Sequence, residues 1–131
     1  MKLTRTTAEN ALAEAERLNP GPWADHSRYV ALACRNIASR CPELDQDLAY
    51  IYGLLHDIGR YAGVTSERHL IDGYRYCMER GWEKAAQICI SHAFMVLSDT
   101  PISRLIIFLL NFALVLSLAS ISEQRSAISM L

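Results

Sequence analysis

Up to Pro101, apolar residues recur three and four positions apart, with few β-branched alternations and no internal repeat, and this pattern predicts an all-α domain. A first helix, rich in Ala and Glu, is expected over about Thr7 to Leu18 and is broken by Asn19-Pro20-Gly21-Pro22. A second runs from about Trp23 to Arg40 with the apolar stripe Val30, Ala33 and Ile37, and one turn back along that face stands His26. Asp45 is the expected N-cap of a third helix, whose stripe Leu48, Ile51, Tyr52 and Leu55 points inward and continues into His56, with Gly59 marking its end. Thr65 or Ser66 caps a fourth that reaches about Arg80, stops at Gly81 and carries His69, Leu70 and Gly73 in its first turns. The fifth starts near Trp82. Its stripe is Ala85, Ile88 and Cys89, and one turn beyond Ile88 lies His92.

Past Pro101 the pattern changes. Residues Leu105 to Ser122 contain no charge, and eighteen such residues approach the length of a bilayer span, although Asn111 and interspersed serines dilute the signal. The chain therefore divides into a helical domain over 1–100 and an apolar C-terminal helix over 101–131. That helix is expected either to be buried against the bundle, to cover a homo-oligomer interface, or to touch a membrane. With 131 residues, 51% of them hydrophobic, the chain is long enough to bury one core and too short for two large domains. Thirteen basic and fourteen acidic residues leave a net charge of −1, so no overall positive field attracts nucleic acid. Cys34, Cys41, Cys77 and Cys89 form no CxxC pair and lie in apolar runs. Reduced, buried thiols and a cytoplasmic location follow as the expectation, and the charged, alanine-rich N-terminus lacks the apolar stretch of a secretory signal.

The candidate chemistry lies in the histidines. There are four, each on or beside the inward face of a different expected helix and close to one of its ends. A single histidine on an apolar face is ordinarily a core residue with its nitrogens satisfied. Four together, each needing partners for two nitrogens where helical ladders consume the carbonyls, point to a shared metal ion. Neutral imidazole suits divalent transition metals, and Asp57, next to His56, supplies charge that offsets a cation and can bridge two. No glycine-rich phosphate loop, Ser-His-Asp arrangement or RNA-binding motif accompanies them.

The ordered set His26 in PWADHSRYVALAC, His56-Asp57 in AYIYGLLHDIGR, His69 in RHLIDGYRY and His92 in ICISHAF resembles the HD-domain superfamily of metal-dependent phosphohydrolases, in particular its HDIG-type members. The likeness covers about residues 20–94. It implies an all-α HD-domain-like helical bundle with its ligands in a central cleft. One or two divalent ions (Mn, Fe, Mg, Co, Ni or Zn) would there activate water to attack a phosphate ester of a small molecule, a nucleotide or related compound. His26 and His56 then bind one ion, His69 and His92 a second, and Asp57 bridges them as the catalytic carboxylate. Arg60 and Arg68, near the ligand-bearing helix ends, are candidates to grip the substrate phosphate bidentately.

The chain departs from the family pattern after His92. The family's final aspartate comes from a helix well downstream, whereas the acidic residues here are Asp99, just before Pro101, and Glu123, beyond the apolar run. A diverged C-terminal end is one reading of that change. It also keeps open a catalytically impaired HD module that binds metal or nucleotide as a sensor or interaction domain, and a helical bundle whose histidines are vestigial.

Overall fold

The computed structural model describes residues 2–91, which form five α-helices and one short 3-10 helix, with no strand among the described residues. The helices are α1 (Arg5–Leu18), α2 (Trp23–Ala38), α3 (Gln46–Leu55), α4 (Arg68–Glu79) and α5 (Glu83–Ser91), and the 3-10 helix Ile58–Ala62 lies between α3 and α4. The all-α expectation is met. His92, Asp99, Glu123 and the apolar run 105–122 lie outside the described residues, and no helix among the described residues is long and apolar enough to cross a membrane.

Local chemistry explains where the helices begin and end. Thr4 caps α1, its hydroxyl accepting from the Thr7 amide at 3.1 Å, so the helix starts two residues before the expected Thr7. Asp45 caps α3 as expected, accepting from the Leu48 amide at 3.0 Å. At α4 the expectation fails. The N-cap is Glu67 and makes no side-chain capping bond, while Ser66 adopts a left-handed φ of 54° that any non-glycine residue enters only at a cost. Leu48 also departs from expectation, being 40% exposed, because capping by Asp45 places it in the first turn, beyond the rim of the core.

The core is built around α3. Leu54, Leu55 and Ile58 are fully enclosed together with Leu12 from α1, Val30 and Cys34 from α2, Cys77 from α4 and Cys89 from α5. Each large aliphatic side chain so buried contributes about 1.5–3 kcal/mol. The four cysteines form no disulfide among the described residues, and burial alone pushes the Cys34 thiol up to about 12, so it is unreactive. The last four carbonyls of α3 have no intrahelical partner, and the Cys89 thiol donates to one of them, Leu55 O, at 3.1 Å.

Two glycines set the spacing of these elements. A Cβ on Gly53 would stand 2.6 Å from Ala31 Cα, so α2 and α3 cross with their backbones in contact. A Cβ on Gly59 would stand 1.9 Å from His69 O and 2.4 Å from Gly73 N. Gly59 therefore does not end α3, which stops at Leu55. It lies inside the 3-10 helix and lets that segment lie directly against α4. No rotation of a side chain relieves a clash between a Cβ and main-chain atoms. Gly59→Ala is expected to lower unfolding free energy by at least about 2 kcal/mol in urea denaturation, because the 3-10 helix must move off α4.

Candidate metal centre

Three elements bring His26, His56, Asp57 and His69 together. His26 lies in the first turn of α2, His56 caps the C-terminus of α3 with Asp57 directly after it, and His69 lies in the first turn of α4. The two glycine contacts position them: Gly53 seats α3 on α2, five residues beyond His26, and Gly59 seats the segment after Asp57 on His69 itself. Asp57 is only 4% exposed, His56 1% and His69 8%, whereas the His26 side chain is partly open to solvent.

The Asp57 carboxylate is the centre of this group. Its Oδ2 lies 3.4 Å from His56 Nε2, 3.9 Å from His26 Nε2 and 3.3 Å from Arg60 Nε, while Oδ1 lies 3.4 Å from His69 Nε2. These separations lie at the long end of N–H···O bonding or beyond it and suit donor atoms converging on one centre. One ligand atom from each of His26, His56 and Asp57 falls within 4.8 Å of the others, so the three could hold a metal ion. The His26 and His56 rings stand 5.4 Å apart, tilted by 58° rather than stacked.

Both buried histidines are oriented by the same device. His56 Nδ1 donates to Gly53 O at 2.6 Å, and His69 Nδ1 donates to Ser66 O at 2.6 Å, in each case three residues back. Donation from Nδ1 turns Nε2 toward Asp57, and in the neutral ring it leaves the Nε2 lone pair available to a cation. Gly53 O is one of the carbonyls that the C-terminus of α3 leaves over, and Ser66 O belongs to the turn that precedes α4. Converging helices offer the imidazoles few carbonyls, as expected, and the two used here lie where α3 closes and before α4 begins. Ser66 holds its left-handed conformation where its carbonyl meets His69.

Arg60 pairs with Asp57 across one turn of the 3-10 helix, with its side chain 37% exposed at the edge of the site. Arg68 points away. It pairs with Asp72 at 3.0 Å one turn along α4, and its side chain is 61% exposed. Sequence pattern marks Asn19 only as part of the Asn-Pro-Gly-Pro break. Its side-chain amide donates to Arg60 O at 2.7 Å, and only the tertiary contact between the end of α1 and the 3-10 helix brings the two together.

Five helices among the described residues, with a His, His-Asp cluster at their ends, define the class of fold and site. Among protein families, the model of the HD domain matches residues 23–110, about two thirds of the chain, and the chain belongs to that family. HD domains are generally metal-dependent phosphohydrolases. No curated protein and no solved structure matches the chain.

Electrostatics in the metal-free site follow from Asp57. Its hydrogen bond holds the His69 imidazole above the ordinary value of 6.5; burial opposes this, and the Ser66 carbonyl adds to it. Because the folded pKa lies above the unfolded one, this group's contribution to stability is fully present below 6.5 and is lost as pH rises through the raised value. In NMR titration of the metal-free protein His69 is expected to titrate above 6.5, and Asp57→Asn should bring it down, since the largest raising cause is then gone. An unchanged His69 titration in that variant would contradict the assignment.

Proposed function

We propose that this chain is a phosphohydrolase that cleaves a phosphate ester of a small phosphorylated molecule, a nucleotide or related compound. The single observation that carries the reading is the Asp57 carboxylate, buried at a helix end with both oxygens faced by imidazole Nε2 atoms from three elements. His26, His56 and Asp57 are the residues that would hold a divalent ion. His69, facing the opposite oxygen of Asp57, belongs to a second position, to which His92 is also assigned from its place in the sequence. A bound divalent cation supplies Lewis acidity there, lowering the pKa of a water and neutralising charge on phosphoryl oxygens.

The protein's own residues do the rest. Asp57 offsets cationic charge and, with oxygens facing different histidines, is suited to bridge. His56 and His69, held by the Gly53 and Ser66 carbonyls, need no reorganisation to present Nε2, and their burial excludes water from that side. Arg60 stands at the open edge. Once cationic charge satisfies Asp57, its guanidinium is available to a phosphoryl oxygen in the bidentate manner that lysine cannot reproduce. Arg68, more exposed and engaged with Asp72, serves as a more distant positive charge for the same anion.

Hydrolysis of bis(p-nitrophenyl) phosphate or p-nitrophenyl phosphate with added Mn²⁺ tests the reading. Asp57→Asn should lower turnover by more than about a hundredfold, beyond the loss seen when a residue merely supports a metal ligand, with an unchanged far-UV spectrum. Elemental analysis of the same preparations should find stoichiometric metal in the wild type and little in His56→Ala. The absence of a match to the family's final aspartate favours a second reading, the binding module. Stoichiometric metal with no turnover of any phosphoester would establish that alternative.

A further inference from the structure

The 3-10 helix that carries Arg60 is a weak element by its own bonding. It spans five residues, its hydrogen bonds have poorer geometry than those of an α-helix, and Gly63 ends it with a φ of 110° that only glycine adopts freely. Arg60 is held within it by its amide, which donates to Asp57 O at 3.0 Å, and by its carbonyl, which accepts from Gly63 N at 3.1 Å. Both tethers are local and move with the segment. Gly59 presses one side of it against α4.

From the other side comes Asn19. It follows the last residue of α1, takes a non-helical conformation, and makes three hydrogen bonds: its amide N–H donates to Ala15 O at 3.0 Å, its carbonyl accepts from Trp23 Nε1 at 2.8 Å, and its side-chain amide donates to Arg60 O at 2.7 Å. The Arg60 carbonyl has two lone pairs, so it takes this bond in addition to the one from Gly63. The indole of Trp23, at the start of α2 and three residues before His26, thereby joins one line of hydrogen bonds with Asn19 and Arg60. A residue within an Asn-Pro-Gly-Pro helix break has no local need for a side chain of this length and donor. Its bond reaches a residue 41 positions away.

We propose that Asn19 is a positioning residue that fixes the backbone of Arg60, and so the place from which its guanidinium meets a substrate phosphate. The inference rests on the role given to Arg60 above. Arginine's donors recognise a phosphate through a fork of fixed shape, so its grip depends on where its Cα is held. Asn19 does this without charge and without touching the substrate. The His56 and His69 rings take their orientation from the Gly53 and Ser66 carbonyls, not from this amide.

The test is a double-mutant cycle on binding of inorganic phosphate, the product of phosphomonoester cleavage, to the Mn²⁺-loaded chain, measured by calorimetry. Arg60→Ala should weaken phosphate at least about tenfold, the range for a hydrogen bond to a charged group, and Asn19→Ala about fivefold, with Mn²⁺ stoichiometry unchanged in both. In the Arg60→Ala background, Asn19→Ala should cost nothing further. Asn19→Leu, similar in shape and without the donor, guards against a simple packing defect and should behave like Asn19→Ala. Additive losses in the double variant, or full phosphate affinity in either single variant, would overturn the assignment, as would a wild-type chain that binds no phosphate. Turnover is read separately. A chain that shows this coupling yet hydrolyses nothing keeps the role of Asn19 and loses the hydrolase reading.

Discussion

A buried carboxylate is the constraint around which this molecule is organised. Asp57 is almost wholly enclosed, and a carboxylate removed from water is costly unless polar groups of the protein or a cation compensate it. Here compensation comes from imidazoles of α2, α3 and α4 and from the Arg60 guanidinium, all within 3.9 Å of its oxygens. Each element that delivers one of these groups must therefore reach the same point. The sizes of the residues at the crossings, the helix termini and the 3-10 helix all follow from that requirement.

Convergence is achieved by removing bulk from the helix crossings. Glycine at 53 lets α3 meet α2 at Ala31, and glycine at 59 lets the 3-10 helix meet α4 at the backbone of His69. In both places a methyl group would push apart two elements that each carry a site residue. The termini contribute next. The C-terminus of α3 leaves carbonyls over, and two of them are used, Gly53 O for His56 and Leu55 O for the Cys89 thiol, while Ser66 O in the turn before α4 serves His69. A site assembled at helix ends thus gains oriented imidazoles without added polar side chains in the core.

Much of this was legible along the chain, for a physical reason in each case. The periodic stripes located the five helices of the described residues, because burying one face of a helix against a core imposes that spacing. Asp45 was legible as a cap since its bond to the Leu48 amide is local. His56 and Asp57 were legible because their adjacency and the order of the histidines carry a family signature. Ser66 as a strained residue, the true role of Gly59 and the exposure of Leu48 were not, since each depends on what packs opposite. The pairing of Arg60 with Asp57 and of Arg68 with Asp72, which separates two arginines that look alike in sequence, also needed the folded chain.

The sequence by itself determined the helical class, the identity of the candidate ligands and the family, because these rest on local periodicity and on residue types in a fixed order. The tertiary structure alone decided which oxygen of Asp57 faces which histidine, which arginine stands at the site, and that Asn19 reaches Arg60 from the far end of α1. Those facts depend on how close two backbones come, and closeness between residues 41 positions apart is set by the packing of every element between them.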